Sequence, residues 1–298
     1  MILVFGHGQL GQELARAANT HGIPMRVLAR ADADIAVPGA AAGAIMRERP
    51  SLVVNAAGYT KVDAAESDPD AAQRDNEIGP HELARACADA GVPLVHVSTD
   101  YLFDGTKEGA YREDDPIAPL GVYGRTKAAG ERAVREALRE HVILRTSWVY
   151  GEFGQNFLKT MLRLAATRDE LRVVADQRGC PTSTRELAAA IVRIAPRLAT
   201  REDIWGTYHF AGLGATTWHV FATHIVAAQA PLTGRKPRVT AITTTDYPTP
   251  ARRPANSELD SALFAEIFGF RARPWGPEAE DIVRALLSAQ LGKANHVA

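Results

Sequence analysis

Cysteine is scarce in this chain of 298 residues, and neither sign of charge is in excess. The two cysteines, Cys87 and Cys180, exclude a disulfide scaffold and argue against a zinc site built on thiolates. Lysine and arginine number 34 and aspartate and glutamate 35, so the formal net charge is -1. This balance provides no basic surface for a nucleic acid or an anionic membrane, and we expect neither partner.

Long hydrophobic runs are missing as well. The longest are far below the roughly 20 residues that a membrane-spanning helix needs, and the segment Met1–Gly6 lacks the charged start of a signal peptide. Hydrophobic residues still make up 46% of the chain and charged residues 23%, which can fill a core and argues against disorder. We expect a soluble, cytoplasmic protein of one or two domains, although so few thiols would also suit a secreted protein.

Strand and helix patterns alternate through the first half of the chain. Five apolar runs have the length of strands: Ile2–Phe5, Arg26–Ala29, Leu52–Asn55, Val92–Val97 and Val142–Leu144. Helical patterns separate them, and the last extends from about Val122 to Glu140, with Glu131–Glu140 predicted as a solvated face. Strands that alternate with helices at this spacing predict a parallel sheet with right-handed crossovers.

The second half is less regular. Helices are predicted at Asn156–Thr167, Thr184–Leu198 and Trp218–Gln229, and a strand at Tyr208–Phe210. The fold class is therefore α/β, a doubly wound parallel sheet with a smaller mixed α/β lobe over its carboxyl edge. A substrate is expected in the cleft between the sheet and the lobe.

A glycine turn follows the first predicted strand and opens a helix. Gly6, Gly8 and Gly11 fit the pattern G-x-G-x-x-G, in which glycines allow a tight turn and a close approach of pyrophosphate to the backbone. A glycine-rich turn without a ligand is the alternative. The context favours a Rossmann-like dinucleotide-binding domain over residues 1–150, with residues 151–298 mainly a substrate lobe from which some segments return to the sheet.

Arg30 follows the second predicted strand, where this fold recognises the adenosine ribose. An acidic residue there prefers a free 2′-hydroxyl, whereas arginine accommodates a 2′-phosphate, so NADP(H) is favoured over NAD(H). The alternative is a solvated surface arginine, and Asp32 close by moderates the preference. The small residues of Asn55–Gly58, after the third strand, predict either an approach to a flat ligand ring or a plain tight turn.

The sharpest signal combines Ser98-Thr99-Asp100 at the end of the fourth strand with Tyr123 and Lys127. Residues four apart on a helix share a face, so the lysine ammonium is expected to lower the pKa of the tyrosine phenol. Such a tyrosine can donate a proton to a carbonyl oxygen that a hydroxyl of Thr99 or Ser98 also holds. The spacing Y-x-x-x-K alone occurs on many amphipathic helices, and its value here comes from the neighbouring motifs.

At these motifs the chain resembles the extended short-chain dehydrogenase/reductases and, within them, the dTDP-4-dehydrorhamnose reductases. The resemblance extends almost from end to end. The segments that carry it are Val54–Glu66, Ser98–Gly105, Pro119–Lys127, Leu144–Tyr150, Asp176–Thr182 and Arg252–Ser257. The run Ser-Thr-Asp-Tyr-x-Phe-Asp-Gly and the run Arg-Pro-x-Asn-Ser are specific to this branch.

The resemblance implies a role for each matching residue. Tyr123 would be the general acid, Lys127 its electrostatic partner on the nicotinamide ribose, and Thr99 the residue that binds the C4 oxygen of the sugar. Further substrate contacts would be Asp100, Trp148, Arg253 and Asn256. The cofactor would lie along Gly6, Gly8, Gln9, Leu10, Gly11, Arg30, Asp34, Ile35, Ala56, Ala57, Gly58, Tyr59, Thr60, Tyr123 and Lys127.

The reaction implied by the resemblance reduces the 4-keto group of dTDP-4-dehydro-β-L-rhamnose with NADPH. The product, dTDP-L-rhamnose, would end a pathway that supplies polysaccharide synthesis, with NADH as a second candidate cofactor. Fold analogy adds a homodimer. Some relatives bind Mg²⁺ at a dimer contact through three glutamates. Glu13 matches the first, but Arg185 lies near the second and no third match is present, so we expect no metal site.

Two other functions remain open from the sequence. An epimerase or dehydratase of nucleotide sugars would use the same Tyr123 and Lys127, although a 4,6-dehydratase usually has an Asp-Glu pair where this chain has Asp100-Tyr101. A non-catalytic regulatory subunit could bind NADP(H) in the same fold. The intact set of Thr99, Tyr123 and Lys127 argues against a regulator, which has no chemical need of all three.

The glycine turn is also one residue shorter than is usual in this branch, so its phosphate contacts differ in detail.

Overall fold

The computed structural model describes residues 1–198 and 204–294. Its first half consists of β1 (Ile2–Phe5), α1 (Gln9–His21), β2 (Met25–Leu28), α2 (Ala40–Glu48), β3 (Leu52–Asn55), α3 (Val62–Ala65), α4 (Pro69–Gln73), a π-helical segment (Arg74–Ile78), α5 (Gly79–Ala90), β4 (Leu94–Thr99), α6 (Val122–Ala137) and β5 (His141–Thr146). Its second half consists of β6 (Val149–Tyr150), α7 (Phe157–Ala165), β7 (Glu170–Val174), β8 (Arg178–Gly179), β9 (Thr182–Ser183), α8 (Thr184–Leu198), β10 (Gly206–His209), β11 (Thr216–Thr217), α9 (Trp218–Thr233), β12 (Arg238–Ile242), a 3-10 turn (Thr244–Asp246), α10 (Ala262–Phe268) and α11 (Trp275–Ala294).

The central sheet has six strands in the order β10-β5-β4-β3-β1-β2, and every pair in it is parallel. The chain moves from β1 outward to β2 and then returns to β3 on the other side of β1. This reversal is the switch point of a doubly wound sheet, where ligands bind beyond the carboxyl ends of the strands. The predicted α/β, Rossmann-like fold is confirmed.

Both faces of the sheet are covered, which explains why its strands are continuous apolar runs. On one face Ile2 and Val4 pack with Leu14 of α1 and with Leu187 of α8. On the other face residues such as Leu3 pack against helices α2 and α5. The strands therefore end in fixed positions, and the loops after them meet at one edge.

The second half of the chain divides between the sheet and a separate hydrophobic cluster. Strand β10 pairs with β5 at the edge of the sheet, and the predicted helix Thr184–Leu198 forms as α8 with the predicted bounds. The separate cluster contains Tyr150, Leu158, Phe221 and Ile282, and it joins α7, β7, α9 and α11. In the described ranges, none of the helices combines the length and hydropathy that a bilayer crossing requires.

The prediction of a solvated face over residues 131–140 is wrong for Glu131. This side chain is fully buried, and its two carboxylate oxygens accept hydrogen bonds from Arg145 on β5 at 2.9 and 2.8 Å. Helix α6 also ends at Ala137 rather than at Glu140. The charged sequence of the helix suggested exposure because the sequence does not show that a buried strand supplies the matching arginine.

Candidate active site

The three glycines of the turn between β1 and α1 have different structural roles. A Cβ on Gly6, which has a φ of +109°, would lie 2.6 Å from the backbone of Ala56, and one on Gly11 would lie 1.9 Å from the carbonyl oxygen of Gly6. A Cβ on Gly8 would have no neighbour within 4 Å. Gly6 and Gly11 therefore permit close packing, whereas Gly8 leaves an open cradle at the N-terminus of α1, which fits a pyrophosphate.

Replacing these glycines should separate folding from cofactor binding. We expect Gly11→Ala to destabilise the fold by about 1–3 kcal/mol, since backbone must move to admit the methyl group. Gly8→Ala should change stability by less than about 1 kcal/mol and yet weaken NADPH binding, because its methyl group would point into the cradle. Urea unfolding and NADPH titration of both variants measure this contrast. Equal effects of the two changes on NADPH affinity would contradict it.

The end of β2 carries Arg30 and Asp34, both predicted for the cofactor. The Arg30 guanidinium is exposed and pairs with Asp34 at 3.1 Å. Burial raises the pKa of Asp34, but hydrogen bonds from Arg74, from the Ala36 amide and from Arg30 outweigh it and lower that pKa to about 2. Ile35 is buried against α5 and contributes apolar packing.

The loop after β3, residues 56–60, is fixed by two buried asparagines. The Asn55 side chain accepts from the amide of Ala57 at 3.0 Å. The Asn76 side chain accepts from the amide of Tyr59 at 2.8 Å and donates to its carbonyl oxygen at 3.1 Å. Sequence reasoning missed Asn76, because it lies on the π-helical segment and no local pattern links it to this loop.

Thr99, Tyr123 and Lys127 converge where β4 ends and α6 begins. The Thr99 hydroxyl donates to Asp100 Oδ1 at 3.1 Å and is also within hydrogen-bond reach of the Tyr123 phenol. Lys127 is buried, and its ammonium donates to the carbonyl oxygen of Val97 at 2.8 Å. The structure therefore places a hydroxyl, a phenol and a buried ammonium together at the carboxyl edge of the sheet.

The predicted lowering of the Tyr123 pKa is wrong for the chain in this structure. Burial raises the pKa of Tyr123 to about 12, and the hydrogen bond with Thr99 only partly offsets it. Burial also lowers the pKa of Lys127 to about 8, against the attraction of Glu131. Desolvation of the phenol is the main cause of its raised pKa and the charge of Asp100 adds to it, so Tyr123 keeps its proton at neutral pH and is available as an acid.

Asp100 should make the stability of the fold depend on pH. Burial raises its pKa to about 7, so the folded chain holds a proton that the unfolded chain has released, and stability falls as the pH rises from about 4 to 7. Asp100→Asn removes this cost, and we expect its stabilising effect to be about 2 kcal/mol larger at pH 8 than at pH 5. Urea unfolding at both pH values tests this expectation. The exposed Asp114→Asn is the control and should show no such difference.

The substrate residues predicted from the resemblance differ in their surroundings. Trp148 has a φ of 46° and stacks on Trp218, with ring centroids 3.5 Å apart and an interplanar angle of 6°. Arg253 forms two hydrogen bonds with the Asp63 carboxylate, at 3.0 and 2.7 Å. Asn256 is buried, and its amide donates to the carbonyl oxygens of Lys107 and Gly109 at 2.9 and 2.7 Å. Asn256 thus holds the loop 107–109 in this structure.

Two further residues near Tyr123 were not predicted for the site. The ring of Tyr101 contacts that of Tyr123 edge to face, with centroids 5.8 Å apart, and its hydroxyl bonds Arg253. Glu66 accepts from the amide of Val122 at 2.8 Å and so caps the first turn of α6. A small cavity beside Tyr123 is lined by both residues. Both lie in segments of the resemblance, which was the only signal that could have indicated them.

The positions that the resemblance compares with metal ligands are engaged in ion pairs. Glu13 accepts from Arg16 and from the Thr184 hydroxyl, the latter at 3.0 Å. Arg185 pairs with Glu152 at 2.5 Å. In residues 1–198 and 204–294, no group of three or more potential ligands has an arrangement that could hold a metal ion.

Comparisons with known proteins cover nearly the whole chain. Residues 1–288 match a family model described as the RmlD substrate binding domain. A dTDP-4-dehydrorhamnose reductase of Sinorhizobium fredii is 44% identical over 283 residues, which cover 94% of this chain and 95% of that protein. The crystal structure of one from Clostridium acetobutylicum has a TM-score of 0.88 at 36% identity and covers 96% and 99% of the two chains. Another from Bacillus anthracis, in complex with NADP, has a TM-score of 0.87 at 33% identity and covers 94% and 97%.

Proposed function

Because the chain belongs to the dTDP-4-dehydrorhamnose reductase family, we propose that it reduces the 4-keto group of dTDP-4-dehydro-β-L-rhamnose to give dTDP-L-rhamnose. This reaction is the last step of dTDP-rhamnose synthesis. The observation that supports it most strongly is the convergence of Thr99, Tyr123 and Lys127 at the carboxyl edge of the sheet, on the same edge as the open cradle at Gly8.

Residues of the first half would hold the cofactor. The backbone at Gly8, Gln9 and Leu10 would bind the pyrophosphate, Arg30 the adenosine ribose, and the loop from Ala56 to Thr60 would lie along the nicotinamide half. When bound, NADPH supplies the hydride that reduces C4 of the sugar, and NADH is the second candidate. The Gly8 cradle fits such a group because a Cβ at this position would lie more than 4 Å from every residue beyond its two chain neighbours.

The residues at the reacting carbon move one proton. Thr99 orients the keto oxygen through its hydroxyl, and Tyr123 donates its phenolic proton to that oxygen, so that a C–H and an O–H bond form and the C=O π bond breaks. Lys127, held by the carbonyl of Val97, presents a positive charge that stabilises the phenolate left behind. The pKa of Tyr123, about 12, keeps the phenol protonated, and its proton passes to the keto oxygen once that oxygen gains negative charge.

The substrate would lie between the sheet and the lobe that begins near residue 151. Trp148, already stacked on Trp218, would place an aromatic edge against the deoxyhexose, and Arg253 would contact the substrate from the late loop. Asp100 would support Thr99 at the sugar. Asn256 would contribute chiefly by holding the loop 107–109, since both amide protons are engaged there.

The assignment is tested by following oxidation of NADPH and NADH by the purified protein with enzymatically generated dTDP-4-dehydrorhamnose. Rapid turnover of this sugar, with product identified as dTDP-L-rhamnose, is the expected result. Binding of NADPH without any turnover would favour the regulatory subunit, and turnover of a different nucleotide sugar would favour the sibling enzymes. Either result would overturn the assignment.

Assembly and location are further parts of this proposal. We propose a homodimer by analogy of fold, and an open groove between α1 and α8, lined by Arg16, Ala17 and Phe270 among others, is a surface that a second copy could cover. Cys87 and Cys180 are free and buried, which suits a reducing compartment and supports a cytoplasmic location. Light scattering of the purified protein distinguishes a monomer from a dimer.

A further inference from the structure

Four charged side chains form a closed ring beyond the end of β2. Arg30 Nε donates to Asp34 Oδ2 at 3.1 Å, and Arg74 Nη2 donates to the same oxygen at 2.5 Å. Arg74 Nη1 also donates to Asp75 Oδ1 at 2.8 Å, and a bond from Arg30 to Asp75 closes the ring. Positive and negative groups alternate, so the two arginines are neutralised by the two carboxylates.

The π-helical segment Arg74–Ile78 supplies half of this ring. A π-helical turn is rare and often lies at a functional site. Asn76 follows Asp75 in this segment. Its side chain accepts from the amide of Tyr59 and donates to Thr126 Oγ1 on α6 at 3.2 Å. A Cβ on Gly130 of α6 would lie 1.9 Å from the Asn76 carbonyl oxygen, so the segment and the helix pack backbone to backbone. One segment thus contacts both the ring and the helix that carries Tyr123.

The ring lies where this fold recognises the adenosine ribose. Arg30 follows β2, and the residue at this place in a dinucleotide-binding sheet contacts the 2′ position of the ribose. The ring is accessible, since the side chains of Arg30 and Arg74 are 58% and 40% exposed. The sequence pointed to Arg30 and Asp34 but not to Arg74 and Asp75, because these two lie on the π-helical segment, far from β2 in the chain.

We propose that Arg74 and Asp75 are specificity-determining residues for the cofactor. The two guanidinium groups of the ring bind the 2′-phosphate of NADPH, and a ring carboxylate accepts a hydrogen bond from the free 2′-hydroxyl of NADH. The phosphate must compete with Asp34 and Asp75 for the arginines, so the ring limits the preference for NADPH and keeps NADH usable. This inference rests on the cofactor site of the proposed function.

Titration of the full chain with NADPH and with NADH tests the proposal. Arg74→Ala should weaken NADPH binding about tenfold, because one charged contact to the 2′-phosphate is lost. The same change should alter NADH affinity by less than about twofold, because NADH has no 2′-phosphate. Asp75→Asn should shift the affinity ratio the other way, about threefold or more toward NADPH, because it frees the arginines from a competing carboxylate. Adenosine 2′,5′-bisphosphate and AMP, as probes without nicotinamide, should show the same opposite shifts.

Arg85→Ala is the matched control, since Arg85 is an exposed arginine on α5 with only a 3.9 Å contact to Glu82. It should leave both affinities unchanged. The proposal is overturned if Arg74→Ala weakens the binding of NADPH and NADH equally, or if Asp75→Asn leaves the ratio of their affinities unchanged. These titrations need no sugar nucleotide. If the two variants shift the ratio of NADPH to NADH affinity in opposite directions but the protein reduces no dTDP-sugar, only the proposed reaction is overturned. If the protein reduces the sugar but the affinity ratio does not change in the variants, only this inference is overturned.

Discussion

Replacing Tyr123 with phenylalanine is expected to lower the turnover number about 10²- to 10⁴-fold, the usual contribution of a positioned general acid. The phenol is within hydrogen-bond reach of the Thr99 hydroxyl, and its pKa of about 12 keeps it protonated at neutral pH. Removing only the hydroxyl leaves the ring that packs against Tyr101. The loss should therefore appear in the chemical step, and single-turnover oxidation of NADPH is the measurement that isolates it.

Two controls limit the interpretation of Tyr123→Phe. NADPH affinity should stay within about threefold of the original, since the variant keeps the glycine turn and Lys127. Tyr247→Phe changes an exposed tyrosine in the same manner and should leave turnover unchanged. Turnover retained in Tyr123→Phe would remove this residue from the proposed role of acid. A large loss of NADPH affinity would show that the effect is on binding.

Replacing Glu131 with glutamine is expected to lower the free energy of unfolding by about 3–5 kcal/mol, the cost of breaking a buried ion pair from one side. Glu131 is fully buried, and Arg145, 3% exposed, donates to both of its oxygens. Burial raises the pKa of Glu131, but these bonds and the one from Arg135 outweigh desolvation and lower that pKa to about 2. A neutral side chain there would leave Arg145 charged and buried without its partner.

Urea unfolding measures this loss of stability, and two further variants test its cause. Glu136→Gln makes the same change at an exposed position of α6 and should alter stability by less than about 0.5 kcal/mol. Glu131→Gln combined with Arg145→Met removes both charges and should recover much of the loss, because no unpaired charge remains. A small effect of Glu131→Gln alone would mean that water or another group compensates Arg145, and would contradict the argument.

The sequence predicted the features that depend on local geometry. The glycine turn, the strand ends at Thr99 and the four-residue spacing of Tyr123 and Lys127 are each set by backbone conformation within a few residues. Helix α8 formed with its predicted bounds. The family resemblance then supplied what local patterns cannot, namely the sugar and the reaction, and the comparisons agree with it.

Tertiary structure decided the electrostatics of the site. Sequence spacing predicted that Lys127 would lower the pKa of Tyr123, but burial of the phenol raised it, because desolvation depends on every element packed around a side chain. Likewise, only the fold placed Glu131 against Arg145 and brought Arg74 beside Arg30. Hydrophobic periodicity and turn conformation depend on residues that are close in the sequence. The pairing and desolvation of charges depend on residues far apart in the chain, which become neighbours only when the sheet assembles.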